Sequence, residues 1–100
     1  MLAEFSILPL GKEHLAEDIA QVLKIVDESS LNYRLHAMGT EVEGSWDEVM
    51  GLIRRCHEHM AKTNNRVYTQ IKIDDLKGQK DLITAKVATV ECKVGKKLKT

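Results

Sequence analysis

The side chains best suited to recognising a small molecule are two carboxylates, two hydroxyls and an imidazole. Glu4 and Glu43 can accept hydrogen bonds from an amino group or a ring N–H. The hydroxyls of Ser6 and Thr40 can donate or accept, and the imidazole of His36 can do either. This set of groups favours the recognition of a neutral or cationic aromatic heterocycle.

Two further side chains could contact the faces of such a ring. Met38 offers a soft thioether and Tyr68 offers a flat aromatic surface. The sequence contains no glycine-rich loop that could cradle a phosphate, so a nucleotide ligand is not expected. The chemistry available is therefore that of hydrogen bonding and ring contact.

Reactive and metal-binding roles are less well supported by the spacing. Cys56 and His59 stand three residues apart on a predicted helix, but Cys56 falls in its apolar stripe, which favours packing over metal binding. Asp81 and the aspartates before it are interpreted as capping and loop residues, not as a cation site. Glu4 and Glu43 could form an acid–base pair, but no nucleophile stands beside them, which favours recognition. We therefore expect no catalytic residue, metal ion or cofactor.

The composition argues against several classes of partner. The 100 residues are expected to form one domain, residues 1–100. The 15 basic and 15 acidic side chains cancel, so the chain has no excess of positive charge that would attract nucleic acid or an anionic membrane. No apolar run approaches the roughly 18 residues of a membrane span. The first residues do not resemble a signal peptide and only two cysteines occur, so a reducing cytoplasm is expected.

Hydrophobic periodicity predicts the elements that must position these groups. Alternation predicts strands, and apolar residues at three- and four-residue spacing predict amphipathic helices. The predicted order is strand 2–8, helix 14–28, strand 32–38, strand 41–43, helix 46–62, strand 66–74 and a third helix between its cap Asp81 and Gly95. This order predicts an α+β fold, a ferredoxin-like βαββαβ sandwich with an additional C-terminal helix.

Local signals refine three of these elements. Gly39-Thr40 is predicted to form the turn of a hairpin, with glycine able to supply a positive φ. Ser45 and Glu48 have the spacing of a capping box at the start of the second helix. The third helix is expected to bury an apolar stripe consisting of Ile83, Val87, Val90 and Val94.

One face of the predicted sheet is expected to remain uncovered by helices. Alternation directs Ala3, Phe5 and Ile7 toward the helices and places Glu4 and Ser6 on the other face. That second face also carries apolar side chains, among them Leu2, Leu8, Met38 and Tyr68. Its mixed composition favours pairing of two copies through their sheets, with polar pockets at the contact.

Three stretches of the sequence resemble the small thiamine-binding protein family. They are AEFSILPLG at residues 3–11, YRLHAMGT at residues 33–40 followed by Glu43-Gly44, and Arg66-Val67 with KIDD at residues 72–75. The similarity extends over essentially the whole chain. It implies a stand-alone, non-enzymatic ferredoxin-like protein, related to the thiamine-binding YkoF-like domain, that forms homodimers through its sheets and often homotetramers.

The resemblance also implies a ligand, which is thiamine or its hydroxymethylpyrimidine part, bound on the sheet side near subunit contacts. Five residues match motif positions of the family: Ser6, His36, Gly39, Thr40 and Glu43. Three more are added from the predicted uncovered face: Glu4, Met38 and Tyr68. Hydroxyl and carboxylate groups can read an aminopyrimidine, and a site built from them rejects analogues that leave those groups unpaired.

Three other functions are compatible with the predicted fold. The first is a regulatory or structural module that binds another metabolite, or a protein, through the same sheet face. An acylphosphatase-like enzyme would need an anion-binding loop with an arginine near the first strand, which residues 9–12 do not supply. An RNA-recognition domain would need exposed aromatic residues on the central strands, and only Tyr68 qualifies.

Overall fold

The computed structural model describes residues 1–100 as an antiparallel sheet of four strands with three helices. In chain order the elements are β1 (Leu2–Pro9), α1 (Ala16–Glu28), β2 (Asn32–His36), β3 (Gly39–Glu43), α2 (Trp46–Thr63), β4 (Val67–Asp74) and α3 (Leu82–Val94). The strand order across the sheet is β2-β3-β1-β4. The predicted α+β ferredoxin-like arrangement with an added C-terminal helix is confirmed.

The alternation of β1 divides the sheet into two chemically different faces. Ala3, Phe5 and Ile7 are at most 3% exposed, because they point toward the helices that cover one face. Successive side chains of a strand point to opposite faces, so Glu4 and Ser6 lie on the other. The predicted alternation of this strand is confirmed.

α1 and α2 pack on the face that carries these apolar residues. Together with β1 and β3 they form one buried cluster, to which the helices contribute Val22, Val26, Val49, Leu52, Ile53, Cys56 and Met60. Burying a side chain of this kind stabilises the folded state by roughly 1.5–3 kcal/mol. None of the three helices combines the length and the apolar character needed to cross a membrane.

α2 begins at the predicted capping box. The amide of Glu48 donates to Ser45 Oγ (3.2 Å), and the amide of Ser45 donates to Glu48 Oε1 (2.9 Å). The first bond satisfies an amide that has no partner within the helix, and the second fixes the entering backbone. The hydrogen bond from the Ser45 amide, together with that of its side chain, lowers the pKa of the Glu48 carboxyl.

The turn between β2 and β3 lies two residues earlier than predicted. β2 ends at His36, which pairs with Gly39, so Ala37 and Met38 form the turn. Gly39 begins β3, and its φ is not positive. Glycine is favoured here for another reason, since a Cβ at this position would lie 3.2 Å from the carbonyl oxygen of Phe5. The prediction of a hinge at this glycine is therefore wrong.

α3 packs on the sheet face opposite to α1 and α2. Val42 is fully buried in the core, so its neighbour Glu43 points to the opposite face. The Glu43 carboxylate accepts hydrogen bonds from the amides of Leu82 (2.8 Å) and Ile83 (3.1 Å) at the start of α3. Both residues are buried at this contact. The expectation that helices leave this face uncovered is therefore wrong for the part of the sheet near Glu43.

Two further expectations for α3 are corrected by its position. Asp81 occupies the N-cap position, but its φ is 55° and its side chain makes no capping bond, so Glu43 supplies the cap. Of the predicted buried stripe, only Ile83 is buried, and three members are 39–54% exposed: Val87, Val90 and Val94. The apolar spacing identified the helix correctly but not the direction in which its stripe faces.

We expect Ser45→Ala to lower the free energy of unfolding by about 1 kcal/mol, because the Glu48 amide loses its acceptor. Urea unfolding followed by circular dichroism measures this difference. Thr89→Ala is the matched control, since Thr89 is an exposed hydroxyl residue on α3. It should change stability by less than about 0.5 kcal/mol. Equal stability of Ser45→Ala and the wild-type chain would contradict the capping role.

Candidate functional site

β1 extends beyond its neighbour β3, and this difference opens a gap in the sheet. β4 pairs with β1 along its whole length, whereas β3 pairs with it only as far as Phe5, opposite Thr40. Residues 6–9 therefore have a neighbouring strand on one side only. The hairpin tip, Ala37-Met38, borders the other side. We refer to the space between residues 6–9 and this tip as the β1 gap.

An apolar cleft of about 360 Å³ opens from the β1 gap toward α1. Leu15, Ile19 and Val22 line it from the side of α1, and the hairpin lines it with residues 35–40. Nine of the 13 lining residues are hydrophobic, so the cleft is suited to a flat organic ring more than to a charged group. We call this cavity the helix-side cleft.

A second cleft, of about 480 Å³, opens from the same gap on the opposite face of the sheet. Its lining includes the polar side chains of Glu4, Ser6 and Lys72. Phe5, Ser6 and Met38 line both cavities, so the two meet at the β1 gap. We call this second cavity the sheet-side cleft.

Charged side chains form a row across the sheet beside the sheet-side cleft. The strand register places Glu41, Glu4 and Lys72 next to one another on β3, β1 and β4. Glu4 Oε1 lies 3.1 Å from Lys72 Nζ, and Glu41 Oε2 lies 3.3 Å from His36 Nε2. The side chains of Lys72 and Glu4 are 80% and 43% exposed, so solvent screens their attraction. Two adjacent carboxylates held by weak, exposed pairs can accommodate a further cation.

Most of the predicted site residues come together at the β1 gap. Those that line at least one of the two clefts are Glu4, Ser6, His36, Met38, Gly39 and Thr40. Tyr68 lies on β4 opposite Leu8, and Glu43 lies at the far end of β3, where it caps α3. Neither of these two side chains lines a cleft at the gap. A ligand contact by Tyr68 or Glu43 stays a prediction.

Thr40 lies deeper in the protein than the sequence indicated. It is 4% exposed and pairs with Phe5, a core residue. Alternation along β3 directs its side chain to the same face as Val42, toward α1. Thr40 therefore lines the helix-side cleft, while Glu41 and Glu43 face the opposite side of the sheet.

Sequence reasoning did not assign the α1 side of the helix-side cleft to the site. Ile19 and Val22 belong to an amphipathic stripe, which predicts core packing. A core stripe becomes a cleft wall only where the sheet beneath it is incomplete, and that depends on where β3 ends. Lys72 could have been assigned to the site from the sequence, since alternation along β4 directs its side chain to the same face as Glu4.

The potentially reactive side chains of α2 are engaged in packing and hydrogen bonds. Cys56 is fully buried with its Sγ 3.9 Å from the carbonyl oxygen of Val22, and burial raises its pKa to about 11. His59 Nε2 lies 2.8 Å from Gln21 Oε1. No three metal-binding side chains come together in the chain. Cys56 therefore packs in the core, as predicted, while Cys92 on α3 is exposed.

The chain is similar to known proteins over nearly its full length. The sequence model of the family described as "Thiamine-binding protein" matches residues 3–91. The chain is 40% identical over 93 residues to UPF0045 protein Mb1933 of Mycobacterium bovis, and the match covers 91% of this chain and 91% of that protein.

Two solved structures resemble the fold closely. The crystal structure of hypothetical protein MJ1052 from Methanocaldococcus jannaschii has a TM-score of 0.83 at 29% identity and covers 89% of this chain and 93% of that one. The structure of TM0486 from Thermotoga maritima, described as a candidate thiamine biosynthesis/salvage protein, has a TM-score of 0.79 and covers 89% and 96%. At 21% identity, the second likeness is one of fold alone.

We expect Glu43→Gln to loosen the start of α3 while the sheet stays intact. Glutamine keeps one acceptor oxygen but loses the negative charge that both amides of α3 share. Hydrogen exchange measured by NMR should become about tenfold faster at the amides of Leu82 and Ile83. Glu58→Gln, at an exposed carboxylate of α2, is the control and should leave both amides unchanged. Unaltered protection in Glu43→Gln would contradict the capping role.

Proposed function

The chain belongs to the thiamine-binding protein family, and from that membership we propose that it binds thiamine, or the hydroxymethylpyrimidine part of thiamine, at the β1 gap. Thiamine consists of an aminopyrimidine ring joined through one methylene group to a thiazolium cation. The observation that carries the proposal is that an apolar cleft and a cleft beside two carboxylates meet at this gap. Two joined cavities of unlike polarity suit two joined rings of unlike charge.

The pyrimidine ring is assigned to the helix-side cleft. The apolar side chains of Leu15 and Ile19 offer contact to one face of a ring, and the hairpin tip closes the other side. Removing the ring faces from water supplies binding free energy, while a few polar groups at the edge decide orientation. Thr40 lines this cleft, and its hydroxyl offers one such group.

The thiazolium cation is assigned to the sheet-side cleft. Glu4 lines this cleft, and Glu41 is its neighbour on β3, so two carboxylates lie close to a bound cation. The exposed ion pair between Glu4 and Lys72 contributes little to the stability of the fold. Replacing Lys72 by the ligand cation beside Glu4 therefore costs little free energy. Met38, at the junction of the clefts, can contact the ring through its polarizable sulfur.

Binding without chemical conversion is part of the proposal. The groups at the β1 gap offer hydrogen bonds, apolar contact and negative charge, and His36 is paired with Glu41 and not with the Ser6 hydroxyl. Thiamine recovered after incubation with the protein should therefore have an unchanged mass.

A second copy of the chain is proposed as the protein partner, through the face that carries α3. The exposed valines of α3 and the half-exposed side chain of Tyr68 leave more apolar surface than a solvated face requires. A chain with a formal net charge of zero does not repel its own copies. Pairing through this face would bring two sheet-side clefts near the subunit contact.

We expect calorimetry to detect binding of both thiamine and hydroxymethylpyrimidine, with one site per chain. Ala37→Trp should weaken both by about tenfold or more, because its indole ring would occupy the helix-side cleft that Ala37 lines. Leu76→Trp is the matched control, since Leu76 is exposed in the loop before α3 and lines neither cleft.

The outcomes of this titration separate two claims. An absence of heat with both ligands would contradict the proposed function. Binding that Ala37→Trp leaves unchanged would keep the function but move the site away from the helix-side cleft.

We expect light scattering to give a mass at least twice the 11.3 kDa of one chain. Val90→Lys should lower this mass, because a charge on the 54% exposed valine of α3 would have to be desolvated at the contact. Thr89→Lys adds the same charge one residue away and should retain the assembly. A wild-type mass of a single chain would contradict the proposed pairing.

A further inference from the structure

The main chain of β1 alternates between its two neighbouring strands. Met1 exchanges two hydrogen bonds with Gly44, since the Gly44 amide donates to the Met1 carbonyl (3.1 Å) and the terminal amino group donates to the Gly44 carbonyl (2.9 Å). Odd-numbered residues of β1 therefore direct their N–H and C=O groups toward β3, as antiparallel pairing requires. Even-numbered residues direct theirs toward β4, which agrees with the bond from the Leu10 amide to the Arg66 carbonyl (2.9 Å).

By this rule the N–H and C=O of Ile7 point into the β1 gap. Its partner on β3 would be residue 38 if the register continued beyond Phe5 and Thr40. That residue is Met38 in the hairpin turn, and β3 begins only at Gly39. The β1–β3 register ends at Phe5 and Thr40, and Ile7 takes part in none of the main-chain hydrogen bonds that join β1 to a turn or loop.

This pair of groups lies in a buried, apolar setting. Ile7 is 3% exposed and lines the helix-side cleft. More than nine in ten buried main-chain groups of native proteins have a hydrogen-bond partner, because a buried group without a hydrogen bond destabilises the folded state. An adjacent donor and acceptor inside an apolar cleft are therefore poised to bind a molecule that presents the complementary edge.

We propose that the main chain of Ile7 reads the edge of a 4-aminopyrimidine, which deepens the proposed function and rests on it. The Ile7 N–H donates to the ring nitrogen next to the amino group, and the Ile7 C=O accepts from the amino group. The ring takes the place that a longer β3 would occupy, as an added strand does at a sheet edge. Ile19 of α1 and Met38 of the hairpin tip then lie toward its two faces.

This assignment gives the site a specificity that depends on no side chain. A 4-oxopyrimidine with a protonated ring nitrogen presents an acceptor and a donor in the reverse order. It would place N–H against N–H and oxygen against oxygen at Ile7. A site that hydrogen-bonds a ligand edge rejects an analogue that leaves its own groups unpaired.

NMR of the full-length, 15N-labelled protein tests the inference. The probes are 4-amino-5-hydroxymethyl-2-methylpyrimidine and its 4-oxo analogue. With the amino compound, the Ile7 amide proton should shift downfield and exchange with solvent about tenfold more slowly. The Leu8 amide, which faces β4, is the internal control and should keep its exchange rate. The 4-oxo compound should leave the Ile7 amide unchanged.

A backbone variant removes the donor without altering any side chain. The chain can be assembled from three synthetic segments joined at Cys56 and Cys92, with the Ile7 amide replaced by an ester. The ester should weaken binding of the amino compound about fivefold to tenfold. An ester at Lys77, in the loop before α3, is the matched control and should bind like the all-amide chain.

The outcomes distinguish this inference from the proposed function. Binding of the amino compound with an unmoved Ile7 amide and an unaffected ester variant would overturn the inference and leave the function standing. An absence of binding by either pyrimidine or thiamine would overturn both. Protection of the Ile7 amide that rises with protein concentration alone would assign the β1 gap to a strand of a second copy and overturn the inference.

Discussion

The two-residue turn at Ala37-Met38 limits how far β3 can pair with β1, and the clefts on both faces depend on that limit. Antiparallel pairing with β3 satisfies the main-chain groups of the odd-numbered residues from Met1 to Phe5 and then stops, while pairing of β1 with β4 continues. The sheet is complete where the core of α1 and α2 needs support and incomplete beside the hairpin tip. The first half of β1 is therefore paired on both sides, and the candidate site lies beside its second half, where Ile7 still contributes to the core.

Features that depend on local spacing could be predicted from the sequence. The alternation of Ala3, Phe5 and Ile7 and the pair Ser45 and Glu48 involve neighbours a few residues apart, and the physical chemistry of strands and caps acts at that range. The position of α3 could not be predicted in this way. Its cap comes from Glu43, 39 residues before Leu82 in the chain, and no periodicity reports such a contact.

The candidate site likewise combines features that local sequence spacing predicts with features that depend on distant contacts. Residue types indicated recognition of a heterocycle, and most of the predicted residues do lie at the β1 gap. Their depth was not predictable, because moving the turn from Gly39 to Ala37-Met38 places Thr40 inside β3, where it becomes buried. The main-chain groups of Ile7 carry no signal in the sequence, since every residue except proline has them.

A site formed by unequal strand lengths changes in evolution differently from one formed by side chains. Substitutions at position 7 that preserve the core would leave the gap in place, so recognition could persist while residues drift. Inserting two residues at the hairpin tip would let β3 continue to a partner for Ile7 and would close the gap without replacing any residue that lines it. Among related chains, the length of this hairpin should therefore separate members that retain the gap from members that have lost it.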